Sequence, residues 1–160
     1  MLFRSADFFG GPEVQAFEKE WAEVCWVKHA VSVNSCTSGL YAAVGAAGVG
    51  PGDEVIVSPY TMSASVTAAL IFNGVPVFAD IDPRTYCISA ETIRPKITPR
   101  TKAIIVVHIF GQPADMDPIM ELAHEHNLVV IEDCAQAPYA LYKGRPVGGL
   151  GHMGVFSDRK

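Results

Sequence analysis

The sequence predicts an α/β fold, a mostly parallel sheet with helices on both faces. Short β-rich runs alternate with helical runs along the whole chain, the pattern of parallel strands joined by right-handed crossover helices. Several strand runs, Val55-Ile56-Val57 and Val129-Val130-Ile131 among them, are continuously apolar and β-branched, as strands covered on both faces are. Turn-forming clusters fall between the runs at Gly50-Pro51-Gly52-Asp53, Asn73-Gly74, Asp82-Pro83 and Lys143-Gly144-Arg145-Pro146.

The elements follow in order. Pro12 suits the first turn of a helix on which Val14, Phe17, Trp21 and Val24 recur at helical spacing, so an apolar stripe should lie on a core. Strands are expected near residues 30–33, 54–58, 76–80, 102–108, 128–132 and 153–157. Between them the pattern gives helices near 38–47, 63–72, 90–97 and 116–126. No internal repeat or low-complexity linker interrupts the series, so one domain is expected.

Composition narrows the function classes. At 160 residues, 49% hydrophobic and 18% charged, the chain has the make-up of a folded globular domain. Its net charge of −5 offers no basic field for a phosphate backbone, which argues against nucleic acid as a partner. No stretch reaches the roughly 18 apolar residues of a membrane span, and residues 1–7 hold no apolar leader. Cys25, Cys36, Cys87 and Cys134 are scattered with no C-x-x-C pair, which fits reduced thiols and a cytoplasmic location better than a disulfide scaffold or a metal site.

In an open parallel sheet, ligands sit beyond the carboxyl ends of the strands, so chemistry should cluster just after them. Asn34-Ser35-Cys36-Thr37-Ser38-Gly39-Leu40 opens a helical run with small hydroxylated residues; it could cradle a phosphate, and Thr37 or Ser38 could equally be a plain N-cap. The absence of G-x-G-x-x-G and of a Walker lysine argues against dinucleotides, nucleoside triphosphates and a stand-alone nucleotide-binding module. In Glu132-Asp133-Cys134-Ala135-Gln136-Ala137 a carboxylate ends a strand. Asp133 could cap a helix, ligate a metal or pair with a protonated ring nitrogen. At ~4 Å and an effective dielectric near 20 such a pair is worth about 4 kcal/mol, enough to keep a pyridinium protonated at neutral pH. Tyr60 or Met62, in Ser58-Pro59-Tyr60-Thr61-Met62-Ser63, could cover a ring face or could be core. Ser157 ends the last strand with a hydroxyl.

Taken together, the ordered segments resemble one family. They are Gly11-Pro12-Glu13-Val14, Asn34 to Leu40, Gly50-Pro51-Gly52-Asp53-Glu54-Val55-Ile56-Val57, Asp80-Ile81-Asp82, Thr98-Pro99-Arg100-Thr101-Lys102-Ala103-Ile104, Val107-His108, Gly111-Gln112-Pro113-Ala114-Asp115-Met116, Glu132 to Ala137 and Phe156-Ser157. Their order and spacing resemble the DegT/DnrJ/EryC1/StrS sugar aminotransferases. The resemblance implies part of the large domain of a fold-type-I transferase dependent on pyridoxal 5'-phosphate (PLP). In it Thr37, Ser38 and Ser157 would hold the phosphate, Asp133 would pair with the pyridine nitrogen, and Gln136 would contact the ring's hydroxyl side. Met62 stands where the family usually stacks an aromatic residue on the cofactor.

The activity implied is amino transfer from an amino-acid donor to a nucleotide-linked keto-sugar, by a homodimer whose sites borrow residues from the partner. A dehydratase of the same family, using PLP or its pyridoxamine form, shares these motifs. Lys160 stands closer to Ser157 than the family's Schiff-base lysine does, and is not assigned that role. The expectation is an incomplete large domain over residues 1–160, with the rest of that domain and the small domain absent. Such a chain would be inactive alone and prone to self-association, or would be an inactive remnant that at most binds phosphate ligands weakly.

Overall fold

The structure, a computed structural model, describes residues 10–158; the leader-free reading of residues 1–7 and the terminal Lys160 lie outside the described residues. Chain order is α1 (Pro12–Val24), α2 (Cys36–Ala46), β1 (Glu54–Val57), α3 (Ser63–Leu70), β2 (Val75–Phe78), α4 (Ala90–Ile93), β3 (Thr101–Val107), α5 (Met116–Glu125), β4 (Val129–Asp133), β5 (Leu141–Tyr142), β6 (Arg145–Pro146) and β7 (Met153–Val155). Two 3-10 turns, Arg94–Lys96 and Ile109–Gly111, extend α4 and follow β3. Helices stop where the backbone turns left-handed at Asn73 and Asn127, short polar residues that tolerate positive φ at a helix end.

Five strands form one parallel sheet in the order β2-β1-β3-β4-β7. The β-branched runs fill its centre, and Val55, Ile56, Val57, Ile104, Ile105, Val130 and Ile131 are wholly buried. Fully burying each such side chain contributes roughly 1.5–3 kcal/mol, so these strands anchor the domain. The chain runs from β1 to β2 in one direction and from β3 to β4 in the other. Right-handed crossovers therefore place α3 and α5 on opposite faces. Helices α2 and α3 pack together against one face, and α5 contacts both α4 and β4.

Two expectations are corrected. The strand expected at residues 30–33 is absent. Val31 is 79% and Val33 47% exposed. No described strand offers this segment an edge, and the Ser32 N–H goes instead to the Glu18 carboxylate at 2.7 Å. Strand propensity alone does not make a strand without a ladder partner. Nor does the apolar stripe of α1 lie on the core: Ala22 is the buried residue of this helix, while Val14, Phe17 and Val24 are exposed. The helix docks through an aromatic group in which Trp21 meets Phe17, Tyr139 and, edge-on, Phe156.

Beyond Asp133 a short hairpin pairs β5 with β6. Lys143 (φ 51°) and Gly144 (φ 79°) form its two-residue turn, and positive φ at both central positions matches the twist of the flanking strands. The loop that follows is fixed by a single buried carboxylate. Glu132 accepts from Leu150 N–H (2.8 Å) and Gly151 N–H (2.6 Å) on Oε1, and from Gly148 N–H (2.8 Å) and His108 Nε2 (2.9 Å) on Oε2. His108 Nδ1 accepts the Ala114 N–H, so the ring proton sits on Nε2 and is donated to Glu132. Burial alone would raise the Glu132 pKa; the bonds from His108, Gly151 and Gly148 outweigh it and hold the carboxyl below its ordinary value.

Two outcomes follow from this packing. A carboxyl whose folded pKa is depressed contributes fully above its unfolded pKa, and that contribution is lost as pH falls through the folded value. Urea unfolding across an acid pH series should therefore show stability declining below the carboxyl's ordinary 4.5. Glu132→Gln should abolish that component and cost about 3 kcal/mol at neutral pH, because its amide nitrogen faces donors. At Gly154 an added Cβ would stand 2.4 Å from both the Cα and the carbonyl oxygen of Gly148, a backbone clash no rotamer relieves. Gly154→Ala should lower stability by about 3 kcal/mol. Gly50→Ala, whose Cβ meets only the Asp53 carboxylate at 3.8 Å, should cost far less in the same assay.

Candidate functional site

The candidate residues follow the carboxyl ends of the strands. Asp133 ends β4, opposite Val107 of β3 and Val155 of β7, and is buried. Side chains alternate along a strand, so Glu132 and Asp133 face opposite sides of the sheet. Glu132 faces His108 and the loop at 148–151; Asp133 faces α3. Its Oδ2 accepts the Ser65 hydroxyl at 2.7 Å and its Oδ1 the Ala135 N–H at 3.1 Å. Ser65 is itself fully buried on α3 and lies 2.9 Å from the Thr61 hydroxyl.

A carboxylate offers about four acceptor sites. Glu132 has a donor for each, whereas the described residues give Asp133 only the Ser65 hydroxyl and the Ala135 amide. Among the described residues no lysine, arginine or histidine pairs with Asp133. The charge of Asp133 reaches the first turn of α2: the Cys36 thiol is pushed up to about 11, by burial first and by Asp133 second.

At α2 the N-cap is Ser35, not Thr37 or Ser38. Its hydroxyl accepts the Ser38 N–H at 3.1 Å and lies 3.0 Å from the Ser38 hydroxyl, while its carbonyl accepts the Gly39 N–H. The N–H groups of Cys36 and Thr37 thus stand in a first turn where no intrahelical carbonyl reaches them. Thr37 and Ser38 are half-buried beside them. With the positive end of the helix behind them, these groups form a surface suited to an anion. Ser157, half-buried, follows β7 at the same sheet edge.

Gln136 is exposed, and its Oε1 accepts the Phe110 N–H at 2.9 Å, which leaves the amide nitrogen as the end that can face a ligand. Phe110 sits in the left-handed region (φ 53°) with 70% of its surface exposed, a conformation uncommon for a bulky residue. Its ring meets Tyr60, which also meets Tyr86. Met62 stands at the N-cap of α3, 66% exposed and three residues before Ser65.

Two parts of this arrangement are not apparent from sequence alone. Ser65 looks like one more small residue on an apolar helix; only the Thr61-to-Ser65 spacing of one helical turn hints at paired hydroxyls. The His108–Glu132 pair joins two segments 24 residues apart, and no local pattern reports that their side chains meet. His108, Glu132 and Cys134 bring ligand atoms within 4.8 Å of one another. Both imidazole nitrogens and both Glu132 oxygens are already hydrogen-bonded, which makes the cluster a structural brace. All four cysteines are free thiols, and burial raises the Cys25, Cys87 and Cys134 pKa values.

Comparison with known proteins gives this geometry a family. The GDP-perosamine synthase of Caulobacter vibrioides is 48% identical over 147 residues, covering 92% of this chain and 40% of that protein. The crystal structure of an aminotransferase from Psychrobacter cryohalolentis is 46% identical with a TM-score of 0.91, covering 93% of this chain and 38% of that one. Spr1654 from Streptococcus pneumoniae, in its PLP form, superposes with a TM-score of 0.92 at 28% identity, covering 98% of this chain and 44% of that one. The chain thus spans about two fifths of the length of the proteins it matches. The family model described as the DegT/DnrJ/EryC1/StrS aminotransferase family matches residues 2–158. The chain belongs to the DegT/DnrJ/EryC1/StrS aminotransferase family.

Proposed function

We propose that this chain carries the PLP-holding part of a sugar aminotransferase, acting with an amino-acid donor on a nucleotide-linked keto-sugar. The observation that carries this reading is the buried Asp133 carboxylate, which has acceptor capacity in reserve and no cationic partner among the described residues. A buried charge calls for a counterpart, and a protonated ring nitrogen has the right sign and size. The α2 first turn fits the other end of the same ligand, since the Cys36 and Thr37 amides, which no intrahelical carbonyl reaches, and the Thr37 and Ser38 hydroxyls suit a phosphate. Ser157 would add a further hydroxyl.

Met62 precedes α3 as an exposed residue at the carboxyl-end edge of the sheet, so its thioether, rather than the Tyr60 ring held by Tyr86 and Phe110, would cover the cofactor. The Gln136 amide nitrogen would donate to the ring's oxygen while its carbonyl holds Phe110. When bound, PLP supplies an electron sink through its protonated ring. The residues here bind it, orient it and keep that proton in place. The amine that completes the chemistry is assigned to none of the described residues.

The relatives point the same way for the substrate, one of them being named for making GDP-perosamine. Exposed Trp26, Val31 and Phe110 favour a covered interface, and a homodimer is the reading that fits. Four free thiols favour the cytoplasm.

Titration of the full chain with pyridoxamine 5'-phosphate, followed by the ligand's absorbance and fluorescence, tests the site. Asp133→Asn should weaken binding about a hundredfold, roughly 2.7 kcal/mol, with unfolding stability little changed. Equal affinity in the two proteins would contradict the assignment of Asp133.

A further inference from the structure

We propose that Ser65, backed by Thr61, is a positioning residue for the cofactor's ring nitrogen, acting through Asp133; this rests on the reading of Asp133 given above. A carboxylate oxygen can only accept, so in the 2.7 Å bond between Ser65 Oγ and Asp133 Oδ2 the serine donates its one proton. The 2.9 Å bond between Ser65 and Thr61 must then run the other way, with the Thr61 hydroxyl donating to Ser65 Oγ. The three groups form a directed chain, Thr61 to Ser65 to Asp133, in which each bond polarises the next. Asp133 Oδ1 is fixed separately by the Ala135 N–H, so the two bonds together set the carboxylate plane.

No other role accounts for this hydroxyl as well. Ser65 is fully buried on a helix whose neighbours Ala68 and Ala69 are core, where an alanine would pack as well. Its proton is spent on a carboxylate 68 residues away in sequence, on another element. The bond also settles which acceptor directions of Asp133 remain for a ligand. A rotated carboxylate would still carry its charge but would present it off the line of a ring N–H, and charge-assisted bonds weaken steeply with misalignment.

The surroundings do not compete for this role. From α2 the titratable group facing Asp133 is the Cys36 thiol, and from its own strand end it is the Cys134 thiol. Both are raised, by burial first, and stay neutral across the physiological range. From α3 the neutral Ser65 hydroxyl approaches, backed by the Thr61 hydroxyl from the turn before the helix. Glu132 is directed to the opposite face and saturated there.

The test measures pyridoxamine 5'-phosphate affinity of the full chain as a function of pH, for the wild type, Ser65→Ala, Ser65→Thr and Thr61→Val. Ser65→Ala should bind roughly tenfold more weakly where the ring nitrogen is protonated, with the deficit vanishing at alkaline pH where that nitrogen is neutral. Ser65→Thr should restore most of the loss. Thr61→Val, which leaves the buried serine in place, should lose a smaller factor with the same pH dependence. A Ser65→Ala curve superposing on the wild type overturns the proposal. So does a deficit equal at every pH, or one that Thr61→Val does not share, since either marks a merely structural serine. If the wild type shows no binding, the cofactor reading fails and this proposal with it; wild-type binding beside an indifferent Ser65→Ala defeats the proposal alone.

Discussion

Two adjacent carboxylates at the end of β4 organise this protein. Strand alternation sends them to opposite faces, and the two faces treat them differently. Glu132 meets three backbone amides and an imidazole N–H, so its charge is absorbed by the protein and the loop at 148–151 is tied to the sheet. Asp133 meets one hydroxyl and one amide. The same functional group, one residue apart, is a structural anchor in one case and, among the described residues, a carboxylate with two donors in the other. The number of donors decides which.

The fold supplies the rest by geometry. A parallel sheet directs every strand's carboxyl end to one edge, so Asp133, the residues after β1, the turn after β3 and the end of β7 share that edge without further design. α2 adds its amino-terminal turn there, close enough for Asp133 to perturb the Cys36 thiol. In the proposed reading, the carboxylate and the helix end would form a complementary pair for a ligand with a cationic ring and an anionic phosphate. Neither alone would specify it; a helix start is common and a buried aspartate can be a cap.

Much of this was legible from the residues because it depends on local patterns. Continuous runs such as Val55-Ile56-Val57 read as buried parallel strands, and they are. The turn cluster at Lys143-Gly144 became the hairpin turn, though two strands of two residues each are too short to register as periodicity. Residues 30–33 have strand-like chemistry and no strand, because a ladder depends on a neighbour that local sequence does not report. The stripe on α1 has helical spacing, yet which surface it meets is a tertiary fact, and here it is an aromatic group rather than the core. At the site, hydroxyls and carboxylates after strands could be found, but their bonds could not. Ser35 rather than Thr37 or Ser38 caps α2, and Ser65 serves Asp133 across 68 residues.

The proposed role of the Asp133 carboxylate is to hold a protonated pyridine nitrogen. Its most direct measurement is the nitrogen-15 chemical shift of ring-labelled pyridoxamine 5'-phosphate bound to the full chain, followed through a pH titration. A pyridinium shift should persist well above the pH at which the free ligand loses its ring proton, and should revert toward the free-ligand curve in Asp133→Asn. A bound ligand whose ring nitrogen titrates as it does in free solution would contradict it.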